Sequence, residues 1–460
     1  MPSTLSRLLN RTRALACAML VLSSCHQTSP TSPAVATITT NQPSNIRFDS
    51  AEAGGTIVLN NNPYPIMEAG ICVDSLPDPD ITKLKIRSAV DSGSFNCWIH
   101  NLPPGANYHV RAYMIQATRV SYGADVSFTS FNYPTALGGY YFGGWILSLT
   151  ADANNDIFAG GDFAGPDPYG PQVVPAIWNG KAWSFTSGFS SGLGINGLCA
   201  SPLGQVYSLN YATVQCNVMK YVSGSWSELG TVDGNADVVN QICADNRGNV
   251  YATGANYVVM LDSNNNYSQL GPLSGGPLAI ATDTAGKLYA GGFLDSGLDV
   301  NYYIAIWDGS IWSKMGLFNN IITTICFDPA GNMYVAGSFT LSISGAIQSG
   351  SPGYNAGPEY YVAKWDGKQW SALGSLGVYQ HYGNWIDQIS SDSKGNIYLF
   401  GEFTDSAGNY PVRKWDGSSW STIASFNDRV LALCIDKQDH VYVGGRFTMP
   451  GFGNFVAKLN

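Results

Sequence analysis

The sequence predicts an all-β chain: a β-sandwich, then a seven-bladed β-propeller closed by an outer strand from its own N-terminal edge. Three observations predict it. One phrase recurs seven times, an Asp or Ser, a few turn residues, an apolar residue and an aromatic: Asp152 to Phe158, Ser201 to Tyr207, Asp245 to Tyr251, Asp283 to Tyr289, Asp328 to Tyr334, Asp392 to Tyr398 and Asp436 to Tyr442. A second phrase, a small-residue turn followed by Trp-Ser, follows in five copies ending at Trp183, Trp226, Trp312, Trp370 and Trp420. The period of about forty to fifty residues, with two tight hairpins per unit, belongs to propeller blades rather than helical solenoids.

Residues 1–24 read as a signal segment. Arg7, Arg11 and Arg13 precede the apolar run Ala14 to Leu22, which is too short to span a bilayer. The run ends in Leu22-Ser23-Ser24-Cys25. That tetrapeptide resembles a bacterial lipobox, and the resemblance implies that Cys25 is lipidated and becomes the mature N-terminus. His26 after the cysteine implies an outer-membrane address and leaves the cell surface and the periplasmic face both open. Residues 25–43, rich in Ser, Thr, Pro and Gln, read as a flexible tether.

Residues 44–130 form the sandwich. Leu102-Pro103-Pro104-Gly105-Ala106-Asn107-Tyr108 resembles the Leu-x-Pro-x-x-x-Tyr corner of fibronectin type III domains, in which the Tyr hydroxyl pins a turn between strands. Gly54-Gly55-Thr56 and Ala69-Gly70-Ile71-Cys72 are similar to the version common in Bacteroidetes surface lipoproteins, where such domains are spacers.

Residues 131–460 form the ring. In the first hairpin turn the Asp carboxylate bonds the turn backbone and a Gly takes positive φ; the second, Asp-Gly between Trp strands, is a strong hairpin signal. The aromatic positions lie 38 to 49 residues apart, except for one gap of 64 that places an insertion between Phe339 and Tyr360. The seventh unit has no Trp-Ser strand, and Pro134-Thr135-Ala136-Leu137-Gly138 aligns with Trp370-Ser371-Ala372-Leu373-Gly374, so the segment entering the ring is expected to supply that strand. Tyr442-Val443-Gly444-Gly445 followed by the later Trp strand resembles the kelch and galactose-oxidase type of propeller. That resemblance implies fold and not activity.

Cys199, Cys243, Cys326 and Cys434 occupy one slot, held by Thr150, Ala281 and Ser390 in other units. This reads as a site for a small side chain, and the cysteines as buried thiols; a Cys72 to Cys97 bridge stays open. No metal-ligand spacing occurs, and no cofactor is expected. The formal charge of −9, or −12 once Arg7, Arg11 and Arg13 leave with residues 1–24, argues against nucleic acid and against anionic lipid, so membrane contact is expected through the N-terminal lipid alone. A closed ring needs no partner to fold, and a monomer is expected.

Nine of the twelve Trp fall in blade strands. Trp145 and Trp385 do not; they share a slot seven residues before Asp152 and Asp392, where the last unit has Arg429. In a closed ring these three are expected side by side at one mouth, with Asp162, Glu402 and Arg446 ending the second strands there and Tyr379, His381 and Tyr382 entering from the loop before Trp385. Flat rings beside carboxylate, guanidinium and amide groups suit a glycan or a protein ligand. The expected function is a lipid-anchored, non-catalytic binding protein of the cell envelope. The alternatives are an architectural or adhesion module without a small-molecule site, and a glycoside hydrolase or lyase using Glu402 and Asp162.

Overall fold

The structure is a computed structural model of the 460-residue chain. It describes residues 36–459 apart from 47–49, 61, 63, 90–91, 118, 131–134, 138–141, 143, 164–173, 190–193, 212–214, 234–240, 255, 274, 295–301, 340–361, 375, 377–384, 406 and 449–453. Among the described residues every regular element is a strand, and no helix is long and apolar enough to cross a membrane.

The N-terminal part holds two sheets. One is Thr37–Thr40, Ser50–Val58 and Gly93–His100; the other has five strands centred on Glu68–Asp74 and Asn107–Gln116. Alternation along the strands sends Ile38, Ala51, Ala53, Ile57, Phe95, Ile99, Ile71, Val110 and Ala112 into one shared core. Thr37–Thr40 falls inside the stretch read as tether, and its β-branched side chains explain why: Ile38 and the preceding Ala36 are buried, and the strand pairs with Gly55 to Val58. The Tyr108 hydroxyl donates to the Pro103 carbonyl at 3.5 Å, and Ser130 donates to the same carbonyl at 2.7 Å, so the turn before the strand is held from two sides. Cys97 faces this core, whereas Cys72 lies beneath Lys85 and Arg111 on the other side of its sheet; both are free thiols.

The remainder is a β-propeller. The described residues hold seven four-stranded antiparallel sheets, six of them continuous meanders. The seventh joins Val430–Ile435, Val441–Thr448 and Asn454–Leu459 to Thr135–Ala136, in register Ala457 to Ala136 and Lys458 to Thr135. The first strand of each sheet packs beside the first strand of the next, and Ile146–Ala151 packs beside Val430–Ile435. Side chains stitch these inner strands together: Ser148 accepts from Leu198 N, Thr324 from Ile389 N, and Gln388 both donates to Leu433 O and accepts from Leu433 N.

The recurring Asp phrase has one physical basis. Asp392 is 4% exposed; it accepts from Lys394 N and Asn396 N, each at 2.9 Å, from Asn396 Nδ2 at 2.6 Å and from Tyr398 Oη at 3.0 Å. Asp245 accepts the same set, Asp436 accepts it with His440 in place of Asn, and Asp328 accepts all of it but the amide two residues on. In these copies the aromatic six residues on is Tyr, and its hydroxyl closes the carboxylate shell; the first copy, with Phe158, lacks that bond. At the fourth turn position φ is positive in every copy, +83° at Gly331, +66° at Asn155 and +65° at Asp439. The non-glycine copies reach across: Asn155 Oδ1 accepts from Lys437 N, joining the last sheet to the first, and Asp439 accepts from Ser393 N.

The Trp strands hold the outer edge. Trp307 and Trp312, Trp365 and Trp370, and Trp415 and Trp420 pair across their hairpins at 5.3 to 5.5 Å. The outer indole also donates to the preceding sheet, Trp312 to Leu270 O and Trp420 to Leu373 O, both at 2.8 Å. Trp183 makes the same bond to Leu137 O, at 2.5 Å. Leu137, just past the added strand, thus stands where Leu373 stands in a sheet whose four strands follow one another along the chain.

Cys199, Cys243, Cys326 and Cys434 are free thiols packed in the layers between successive sheets. Burial pushes all four well up, so they carry little thiolate at neutral pH.

Candidate functional site

The end of the ring opposite the Asp turns is built by one local device. The inner strand begins with a carbonyl that turns onto the second strand: Asp162 N donates to Trp145 O, Glu402 N to Trp385 O, and Arg446 N to Arg429 O, at 2.9 to 3.0 Å. A Cβ on Gly161, Gly401 or Gly445 would lie 2.0 to 2.2 Å from those carbonyls, so only glycine allows the approach. One residue further in, each inner strand carries a β-bulge whose extra residue is Leu147, Asp387 or Leu431. The three sheets that meet here thus set Trp145 with Asp162, Trp385 with Glu402, and Arg429 with Arg446 at corresponding positions.

Contacts run diagonally between sheets. Arg429 leaves the last sheet toward its predecessor, with Nη1 2.5 Å from Glu402 Oε1 and Nη2 3.5 Å from Asp387 Oδ2. Arg446 leaves the same sheet on the other side and lies over Trp145, its Cζ 3.6 Å from the ring centroid. The Trp145 ring is therefore covered by Arg446 and not by Arg429, which the slot alignment had set beside it. Trp145 remains 40% exposed and Trp385 38%. Asp162 is exposed and has no side-chain partner among the described residues. Tyr379, His381 and Tyr382 lie outside the described residues, as do Cys25 and the 340–358 insertion.

Asp387 is the residue that the sequence reading missed. Its signal is an acid in a slot that holds Leu147, Leu278 and Leu431 elsewhere. Burial raises its carboxyl to about 6, against the opposing pull of the Arg429 charge and with a further upward push from Glu402. Between about pH 4 and 6 the folded chain therefore keeps a proton that the unfolded chain releases, so the contribution of this group is largest below that window and is lost as pH rises through 6. Asp387→Asn should flatten the stability profile there and gain about 3 kcal/mol relative to the parent by pH 7, for a shift of about two units. Urea midpoints for both proteins at intervals of pH check it; parallel profiles would refute the assignment.

Glu402 is committed to an ion pair with Arg429, and Asp162 stands in the first sheet, separated from the sheet of Glu402 by the last. Among the described residues no group of three His, Cys, Asp or Glu is placed to hold a metal ion.

No protein-family model matches the chain, and no curated protein matches it. Solved structures resemble it at the level of the fold. They include the Dos1 propeller, with 12% identity and TM-score 0.44 over 71% of this chain and 94% of that one. A gluconolactonase from Xanthomonas campestris has 11% identity and TM-score 0.36 over 58% and 85%, and a protein of unknown function from Dyadobacter fermentans has 12% and 0.35 over 71% and 96%. No residue role passes from them to this chain.

Proposed function

We propose that the chain is a lipid-anchored, non-catalytic binding protein of the cell envelope, in which a fibronectin type III-like spacer carries a kelch-like, seven-bladed propeller. On this reading Cys25 bears the lipid at the outer membrane. The propeller presents its mouth to a glycan or protein ligand through Trp145, Trp385, Arg429, Arg446, Asp162 and Glu402. One observation carries the binding role: Trp145 and Trp385 stay 40% and 38% exposed among charged groups, while the Trp of the blade strands are packed between sheets. Exposed indoles framed by polar groups are what stacking on sugar faces or anchoring a protein partner requires.

Trp145→Ala with Trp385→Ala should weaken binding to any ligand of this mouth on the order of 100-fold while leaving the urea midpoint nearly unchanged, since both rings are half in water. Glycan-array and cell-crosslinking signals of the parent and the double variant measure it. Equal signals from a folded double variant would remove the mouth as the site.

A further inference from the structure

The two arginines of the mouth differ in one respect that selects a ligand. Arg429 is matched by two carboxylates, Glu402 and Asp387. Arg446 has none: among the described residues it makes no ion pair and no side-chain hydrogen bond, its Nε, like that of Arg429, is buried without a partner, and its guanidinium lies over the face of Trp145. A guanidinium stacked on a ring is held in a fixed plane, and its edge still carries the N–H fork that matches a carboxylate in two bonds.

We infer that this mouth takes a carboxylate-bearing glycan, with one sugar carboxylate held by the edge of Arg446. The inference rests on the binding reading above and narrows it to a substrate class. The surroundings favour an acidic sugar over an acidic peptide. Asp162, Glu402 and Asp387 border the same mouth, and the chain carries a formal charge of −9, so a densely anionic partner is repelled. A sugar unit brings one carboxylate for Arg446, hydroxyls that can donate to the unpartnered Asp162, and an apolar ring face for the exposed Trp385. Arg rather than Lys at position 446 fits planar recognition of this kind.

The test is calorimetric titration of the full chain with uronate tetrasaccharides built from galacturonate, guluronate or glucuronate, each paired with its carboxyl-reduced form. A hexa-aspartate peptide is run beside them. The expected result is binding of at least one acidic tetrasaccharide, with its reduced form weaker on the order of 10- to 100-fold. Arg446→Met should erase that difference, and Arg446→Lys should keep part of it. Carboxyl reduction alters the ligand alone, so this comparison stands even if a variant folds poorly. Equal binding of acidic and reduced forms, both lost in Trp145→Ala/Trp385→Ala, would overturn the carboxylate assignment and leave the glycan site intact. Binding of neutral tetrasaccharides without any acidic one would do the same. Binding of hexa-aspartate alone would overturn both the inference and the glycan reading.

Discussion

Asp392→Ala should cost about 3–5 kcal/mol, among the largest single-residue effects expected in this chain. The carboxylate is 4% exposed and takes four donors, two of them backbone N–H groups. Removing it leaves the Tyr398 hydroxyl, which is also buried, and the turn amides without acceptors, and each unsatisfied group costs about 1–3 kcal/mol less whatever water recovers. Tyr398→Phe removes one donor and should cost about 1 kcal/mol. Asp416→Ala is the control, because that carboxylate accepts Ser418 N and Ser419 N at a fully exposed turn; water replaces it and the loss should be small. Urea unfolding of the three variants orders them. An Asp392 variant no weaker than Asp416→Ala would mean that the buried shell contributes little, and the reading of the repeat would fall with it.

Leu137→Asp should be comparably damaging, at about 4 kcal/mol or more, and its damage should appear far along the chain, in the strand it is bonded to. Leu137 is 5% exposed and packs with Phe142 and Ile146; its N–H donates to Val456 O and its carbonyl receives the Trp183 indole. A carboxylate there is a buried charge without a partner. Loss of the packing also frees Thr135–Ala136, which is paired to Asn454–Leu459 through two residues. Amide hydrogen exchange should therefore rise over residues 454 to 459. Leu373→Asp, at the matching position of a sheet built from four consecutive strands and 3% exposed, should cost as much but raise exchange locally. Protected amides at 454 to 459 in a destabilised Leu137→Asp would show that closure does not depend on this corner.

The repeat was legible because its chemistry is local. Asp, the residue four on, and the Tyr six on form one shell within seven residues, and the added outer strand could be aligned because Leu137 and Leu373 follow the same residue pattern. The mouth was legible as far as position along each strand decides it, which brought Trp145, Trp385, Arg429 and the second-strand ends to corresponding places. What was not legible depends on direction. A bulge breaks the inward-outward alternation at Asp387, so counting along Ile386–Ser391 misplaces it. The choice of Arg446 rather than Arg429 as the cover of Trp145 depends on how far each side chain leans toward the sheet before or after its own, which no spacing encodes. Thr37–Thr40 was hidden in a Ser, Thr and Pro-rich composition although its own residues are β-formers.

The pairing of Lys458 with Thr135 also sets a clock on biogenesis. Thr135 is made first and its partner roughly 320 residues later, a delay of tens of seconds at about 5–20 residues per second. Through that interval Thr135–Ala136 has nothing to pair with, and six sheets can be complete around a ring that is still a horseshoe. Premature termination anywhere before residue 454 would make the gap permanent and leave two free strand edges facing solvent. Quality-control machinery would thus meet each copy first as an open form, and the arrival of residues 454–459 decides whether it stops being one.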